Sequence, residues 1–245
     1  MYSYSFKNDY SEGAHPQILD ALTETNNTQE AGYGYDQFSE RAASIIRKKI
    51  ENETAGIHFV CGGTQANLIV ISALLKPHES IIAAETGHIA TLEAGAIEST
   101  GHKINTVSTK NGKLKPTDIK KVLDKHTDEH MVKPKAVFIS NATELGTIYS
   151  LKELTELSYF CKIHRLYLYL DGARLGSALS ADTNDLTLPD IAQLVDVFYI
   201  GGTKNGALIG EAIIIMHDNI KEDFKFYIKQ RGALLEKEDY SGFNF

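Results

Sequence analysis

"SLKELTELSYFCKIHRLYLYLD", residues 150–171, decides the fold class. Residues 150–164 place Leu151, Leu154, Leu157 and Cys161 on one helical face, and Ser150 with Glu153 has the spacing of a capping box. "RLYLYLD" (165–171) then switches to a β-prone run. A strand of this kind following a helix is the unit of a largely parallel sheet covered by helices on both faces.

The same alternation extends in both directions. Strand-like runs stand at "SIIAAE" (80–85), "KINTVS" (103–108), "KAVFIS" (135–140), "DVFYIG" (196–201) and "EAIIIM" (211–216), with segments of helical period between them and a helix expected over 218–235. The first 30 residues read as a polar, irregular arm, residues 31–235 as one main domain, and "EKEDYSGFNF" (236–245) as a polar tail without amphipathic pattern. There is no long repeat, low-complexity tract or Pro/Gly-rich linker inside residues 30–235.

Bulk properties narrow the function classes. A chain of 245 residues is long enough to bury a sizeable core. Its net charge of −7 argues against a general nucleic-acid or anionic-membrane surface, which needs clustered Lys and Arg. Cys61 and Cys161 sit in apolar surroundings without metal-ligand spacing and read as buried thiols of a reducing compartment, not as a disulfide framework. No H-E-x-x-H or C-x-x-C pattern supports a metal site. The start has no secretory pattern, and the longest apolar run, Ala212 to Met216, is too short to cross a bilayer, so a cytoplasmic location is expected.

Four stretches carry possible chemistry at the carboxyl edge of such a sheet, where ligands gather. Asp171, in "LYLYLDGARLG", either pairs structurally with Arg174 or holds a proton on a cofactor's ring nitrogen. "HFVCGGTQANLIVISALL" (58–75) is an apolar stub, two glycines and a helix start, and it is either a phosphate cradle or a glycine-capped turn. His88, in "ETGHIATLEAGA" (85–96), follows a strand end and could lie on an aromatic ring or shuttle protons. His102, His126 and His130 read as solvated surface groups. "YIGGTKNGA" (199–207) puts Lys204 behind two glycines, either as a solvated loop lysine or as an amine able to condense with an aldehyde. A lysine, an acidic partner and a phosphate anchor at one edge are what pyridoxal 5'-phosphate requires.

With "NDYSEGAHP", "GYGYD", "GGTQAN", "ETGHI", "EAGA", "DGARL" and "GGTKNGA" in that order, the chain resembles the threonine aldolase and β-eliminating lyase group of fold-type-I pyridoxal-phosphate enzymes from about Phe6 to Leu235. The resemblance implies the large domain of the aspartate aminotransferase fold, with a mostly parallel seven-stranded-type sheet between helices. It makes Lys204 the Schiff-base lysine, Asp171 the pyridinium partner, and His88 the ring-stacking residue that assists proton transfer. Gly63 and Thr64 would hold the phosphate, with Gln65 and Thr203 as lesser contributors. Arg174 would take the carboxylate of a small amino-acid substrate, with Asn8 where the family commonly has a serine.

The implied reaction is low-specificity aldol cleavage of L-threonine or L-allo-threonine to glycine and acetaldehyde, with β-elimination on another amino acid as the alternative. The implied assembly is a homodimer or homotetramer; "GYGYD" (32–36) is either a segment crossing to a partner or a packed surface loop. Thr143 stands about where the family carries a second histidine, and "GGTKNGA" departs from its serine–lysine–glycine pattern, as a neighbouring subgroup would. The family continues beyond 235 into a smaller domain of roughly 100 residues. The expectation is therefore a truncated chain with impaired catalysis. A non-catalytic remnant and a nucleotide-binding α/β domain are the competing classes, the latter without the glycine spacing it needs.

Overall fold

The computed structural model describes residues 5–237 and 242; the greater part of the 236–245 tail therefore lies outside the described residues. Seven strands form one sheet: β1 (Gly56–Val60), β2 (Glu79–Ala84), β3 (Lys103–Val107), β4 (Lys133–Ser140), β5 (Tyr167–Asp171), β6 (Val197–Gly201) and β7 (Glu211–Ile215). Their order is β1-β7-β6-β5-β4-β2-β3. The neighbours from β6 through β5, β4 and β2 to β3 are parallel. Only β7 runs the other way, antiparallel to both β1 and β6.

Both faces of this sheet are covered, which explains the unbroken apolar runs. Successive residues point to opposite faces. Leu168, Leu170, Val137, Ile139 and Ile214 face one core, and Tyr169, Tyr199, Phe138, Ile213 and Ile81 face the other. The described helices are α1 (Pro16–Thr25), α2 (Gln37–Lys49), α3 (Gly63–Leu74), α4 (His88–Thr91), α5 (Pro116–Leu123), α6 (Leu151–Ile163), α7 (Leu175–Leu179), α8 (Leu188–Leu194), α9 (Asp218–Lys221) and α10 (Phe224–Gln230). Helices α5, α6 and α8 cover the first face, through Ile119, Leu154, Leu157, Cys161 and Ile191. Helices α3 and α10 cover the second, through Ala66, Ile69, Val70 and Ile228. The capping box that opens α6 is formed as the sequence predicts, with Ser150 and Glu153 each accepting from the other's backbone N–H.

Three expectations need correction. The N-terminal arm is not wholly irregular, because α1 begins at Pro16 with the His15 ring accepting from Gln17 N–H. It buries no residue, so its polar composition conceals it. The helix expected over 218–235 is broken into α9 and α10 at Asp223 (φ −106°, ψ 8°). The break turns Phe224 wholly into the core, its ring centroid 5.0 Å from that of His58. His102 is not solvated: it is buried beside the start of β2, with Nδ1 3.3 Å from the Glu79 carbonyl oxygen. Burial pushes its pKa down. His126 is part-buried with Nδ1 2.8 Å from the Val122 carbonyl oxygen, and His130 is exposed.

Candidate active site

The carboxyl ends of β1, β5 and β6 converge on a cavity of about 270 Å³ whose wall includes Gly62, Gly63, Thr64, His88, Asp171, Arg174, Thr203 and Lys204. Its volume falls just below the range of small-ligand pockets, roughly 300–1,000 Å³. Two backbone contacts fix the strand ends beside it. A Cβ on Gly172 would stand 1.8 Å from the Tyr199 carbonyl oxygen, and one on Gly201 would stand 2.3 Å from that of Ala173. The glycines allow the ends of β5 and β6 to meet, and Gly201 N–H donates to the Gly172 carbonyl at 2.9 Å.

Asp171 is buried and accepts from the Tyr199 hydroxyl at 2.5 Å, the Ala173 N–H at 3.0 Å and the Asn67 side-chain amide at 3.3 Å. Burial, with the charge of Asp171 adding, pushes the Tyr199 and Tyr169 phenols well above their ordinary range. Both remain O–H donors, Tyr169 to Asn67 Oδ1 at 2.7 Å. The structural pairing of Asp171 with Arg174 does not form. Arg174 instead makes a two-pronged ion pair with Asp9, at 2.5 and 3.0 Å. That bond holds the Asp9 carboxyl below its usual range and the guanidinium above its own.

Lys204 sits half-buried on a loop tied back on itself. Gly202 and Thr203 N–H donate to the Gly210 carbonyl, Gly210 N–H donates to Thr203 Oγ1 at 3.0 Å, and the Asn205 amide donates to the Gly201 carbonyl at 2.7 Å. The N-terminal segment lies across this loop. Gly206 accepts from His15 N–H at 2.8 Å, and the Tyr10 ring centroid is 5.8 Å from Lys204 Nζ.

His88 opens α4 with its N–H donating to Glu144 and its Nδ1 2.7 Å from Glu93 Oε1. The Glu93 bond raises its pKa against the opposing effect of burial. The same Glu93 oxygen accepts from the Asn67 amide at 2.6 Å. A buried chain of hydrogen bonds therefore runs from His88 through Glu93 and Asn67 to Asp171.

Helix α3 starts at Gly63 without a side-chain cap, and the residues carrying its first amides, Gly63 and Thr64, line the cavity. A Cβ on Gly63 would stand 2.9 Å from the Tyr199 hydroxyl oxygen. Gln65 does not line the cavity: its Oε1 accepts from Cys61 N–H and closes the turn before the helix. Asn8 is likewise absent from the wall. Its Oδ1 accepts from Tyr10 N–H and the Ser11 hydroxyl, and Tyr10 takes the place at the rim. Thr143 is buried and bonded to Thr147, away from the wall.

Sequence reasoning assigned no role to Asn67, Glu93, Tyr199, Glu144 or Glu211. Asn67 and Glu93 belong to "GGTQAN" and "EAGA", whose polar positions are the one available signal. The "GYGYD" loop packs on its own chain: Tyr33 N–H donates to the Leu235 carbonyl, and Lys225 and Lys229 lie 3.7 and 4.7 Å from the Tyr35 and Tyr33 ring centroids. Neither Cys61 nor Cys161 is in a disulfide; Cys161 is buried as expected, whereas Cys61 is only part-buried, where it lines the cavity. Among the described residues no group of three His, Cys, Asp or Glu could hold a metal, and no helix is long and apolar enough to cross a membrane.

The donor set suits a phosphorylated aldehyde bearing a basic ring. It comprises an amine, a carboxylate fixed by three donors, a row of uncapped amides and a histidine. A family model described as beta-eliminating lyase matches residues 9–240. A low specificity L-threonine aldolase of Pseudomonas sp. (strain NCIMB 10558) is 38% identical over 240 residues, which cover 96% of this chain and 68% of that one. The solved threonine aldolase of Leishmania major superposes with a TM-score of 0.98 at 53% identity, covering 99% of this chain and 71% of that one. A Thermus thermophilus aspartate aminotransferase, at 13% identity and a TM-score of 0.72 over 96% of this chain and 62% of that one, shares the fold.

Proposed function

The chain belongs to the β-eliminating lyase family, and from that premise we propose that it uses pyridoxal 5'-phosphate to cleave L-threonine and L-allo-threonine into glycine and acetaldehyde. The observation that carries the reading is the convergence of Lys204, Asp171, His88 and the uncapped start of α3 on one cavity. The names of the relatives support the substrate.

On this reading the cofactor, when bound, supplies an electron sink for the broken Cα–Cβ bond, provided its ring nitrogen stays protonated. Asp171 keeps that proton in place. Its carboxylate is oriented by Tyr199, Ala173 and Asn67, and a fixed anion favours the cationic form of a neighbouring base. Lys204 Nζ would hold the cofactor through its aldehyde, and the amides of Gly63 and Thr64 would hold its phosphate at the positive end of α3.

His88 has Nδ1 committed to Glu93, leaving Nε2 to take up and return the substrate hydroxyl proton. Arg174 uses two of its five N–H donors on Asp9, which leaves three for a substrate carboxylate. Residues 31–235 are the cofactor-binding unit on this reading, and the first 30 residues contribute Asp9 and Tyr10 to the rim.

Two measurements test the proposal. Adding pyridoxal 5'-phosphate should produce a visible absorption band that Lys204→Ala lacks. Incubation with threonine, allo-threonine and serine should release glycine and an aldehyde from the first two. A band equally strong in Lys204→Ala defeats the cofactor assignment, and ammonia and a keto acid without glycine would replace aldol cleavage by β-elimination.

A further inference from the structure

Glu211 is a buried carboxyl in the cavity wall with no place in the scheme above. It is the first residue of β7, registered between Val60 of β1 and Gly201 of β6. It therefore stands between the strand that leads into Gly62–Gly63–Thr64 and the strand that leads into Thr203–Lys204. Its Oε2 accepts from Gly202 N–H at 3.1 Å. We propose that Glu211 is a phosphate-binding residue: its neutral carboxyl donates an O–H hydrogen bond to the cofactor phosphate beside the amides of α3, so that cofactor affinity depends on its proton. This rests on the cofactor reading above and names one more residue of the same site.

The argument is electrostatic. A phosphate monoester carries close to two negative charges above its second pKa of roughly 6, and an ionised carboxylate at the same cradle would repel it. A protonated carboxyl has one O–H donor to offer it. The surroundings select that form. Burial, chiefly, with the charge of Asp171 adding, pushes Glu211 up to about 8, against the Gly202 N–H, Lys204 and the Thr203 hydroxyl. The titratable groups coupled to it are Asp171 and Tyr169 on β5, Tyr199 on β6 and Lys204 on the loop, and those sharing the cavity wall with it are Tyr10, Cys61, His88, Glu144 and Arg174. The Tyr169 and Tyr199 phenols stay neutral, and Lys204 is the one cation at the carboxyl among the groups acting on it.

Pyridoxine 5'-phosphate tests this, because it carries the phosphate and ring but no aldehyde, and pyridoxine is the control without phosphate. Calorimetric affinities of the full chain for both are measured at pH 7 and pH 9, where the phosphate is a dianion throughout. The wild-type preference for the phosphorylated compound should fall about tenfold between the two, following a single proton leaving near pH 8. In Glu211→Gln, whose amide still accepts from Gly202 and donates to phosphate at either pH, it should change less than about twofold. Glu211→Thr carries the same expectation should the Gln variant not fold. A wild-type preference that is flat with pH, or a fall just as steep in the neutral variants, overturns the assignment. No binding of pyridoxine 5'-phosphate at either pH overturns the cofactor reading itself.

Discussion

Glu93→Gln isolates the buried hydrogen bonds behind His88. The substitution keeps an oxygen where Glu93 Oε1 accepts from His88 Nδ1 and from Asn67, at 2.7 and 2.6 Å, but removes its charge. A hydrogen bond to a charged group contributes about 1.5–3 kcal/mol, against about 1 kcal/mol between neutral groups. The Glu93 side chain is fully shielded and that of His88 is 27% exposed, so solvent screens the pair little. The pKa of His88 is raised chiefly by this bond and lowered by burial. In the variant burial remains, with only the opposed and smaller effects of Asp171 and Lys204 beside it, and the midpoint should fall below that of the wild type.

The sign for stability follows. A base with a raised folded-state pKa contributes fully below its unfolded value of about 6.5, and the contribution is lost as pH rises through the folded midpoint. Glu93→Gln should therefore be less stable than wild type by about 1–2 kcal/mol near pH 6, with the gap narrowing as pH rises. The histidine midpoint is read from ring-proton NMR, with the His88 resonance identified by its absence in His88→Asn, and stability from urea unfolding near pH 6 and at higher pH. A midpoint unchanged or raised in Glu93→Gln would refute the reasoning.

Gly172→Ala forces a methyl group onto the Tyr199 carbonyl oxygen, 1.8 Å away; overpacking against backbone should cost about 1–3 kcal/mol or more in urea unfolding, together with the visible band. Wild-type stability and an unchanged band in that variant would show that the strand ends are not held by the contact. His58, part-buried against Phe224, is pushed down to about 4, chiefly by burial and then by Lys225 and Arg47. Its neutral burial contributes stability that is present above pH 6.5 and lost as pH falls toward 4, by at most roughly 3 kcal/mol. His58→Phe should flatten that acid limb; an acid limb equally steep in the variant would contradict the assignment.

The strands were legible because the inner ones are buried on both faces, so "KAVFIS" and "RLYLYLD" read as continuous apolar runs. The insertion of β7 between β1 and β6 was not, since strand order is set by the path of the connections and leaves no periodic trace. Helix α1 escaped notice because it has no buried face to generate a pattern. At the site, the glycine-flanked Lys204, the strand-end Asp171 and the helix-entry His88 each carried a local signal. Their supports did not: Asp9 meets Arg174 across 165 positions of chain and Tyr199 meets Asp171 across 28, separations that periodicity cannot see. Gln65 and Asn8 lie in equally suggestive motifs, yet their side chains bond within their own turns and do not line the cavity.

The glycine contact at the ends of β5 and β6 bears on how substrate choice can diversify. Because main-chain contact sets the spacing of those strand ends, altered side chains can scarcely retune it. New preferences can arise instead at Tyr10, which borders the cavity from the N-terminal segment. Variant libraries at that position would explore specificity while leaving Arg174 and the His88–Glu144 bond intact.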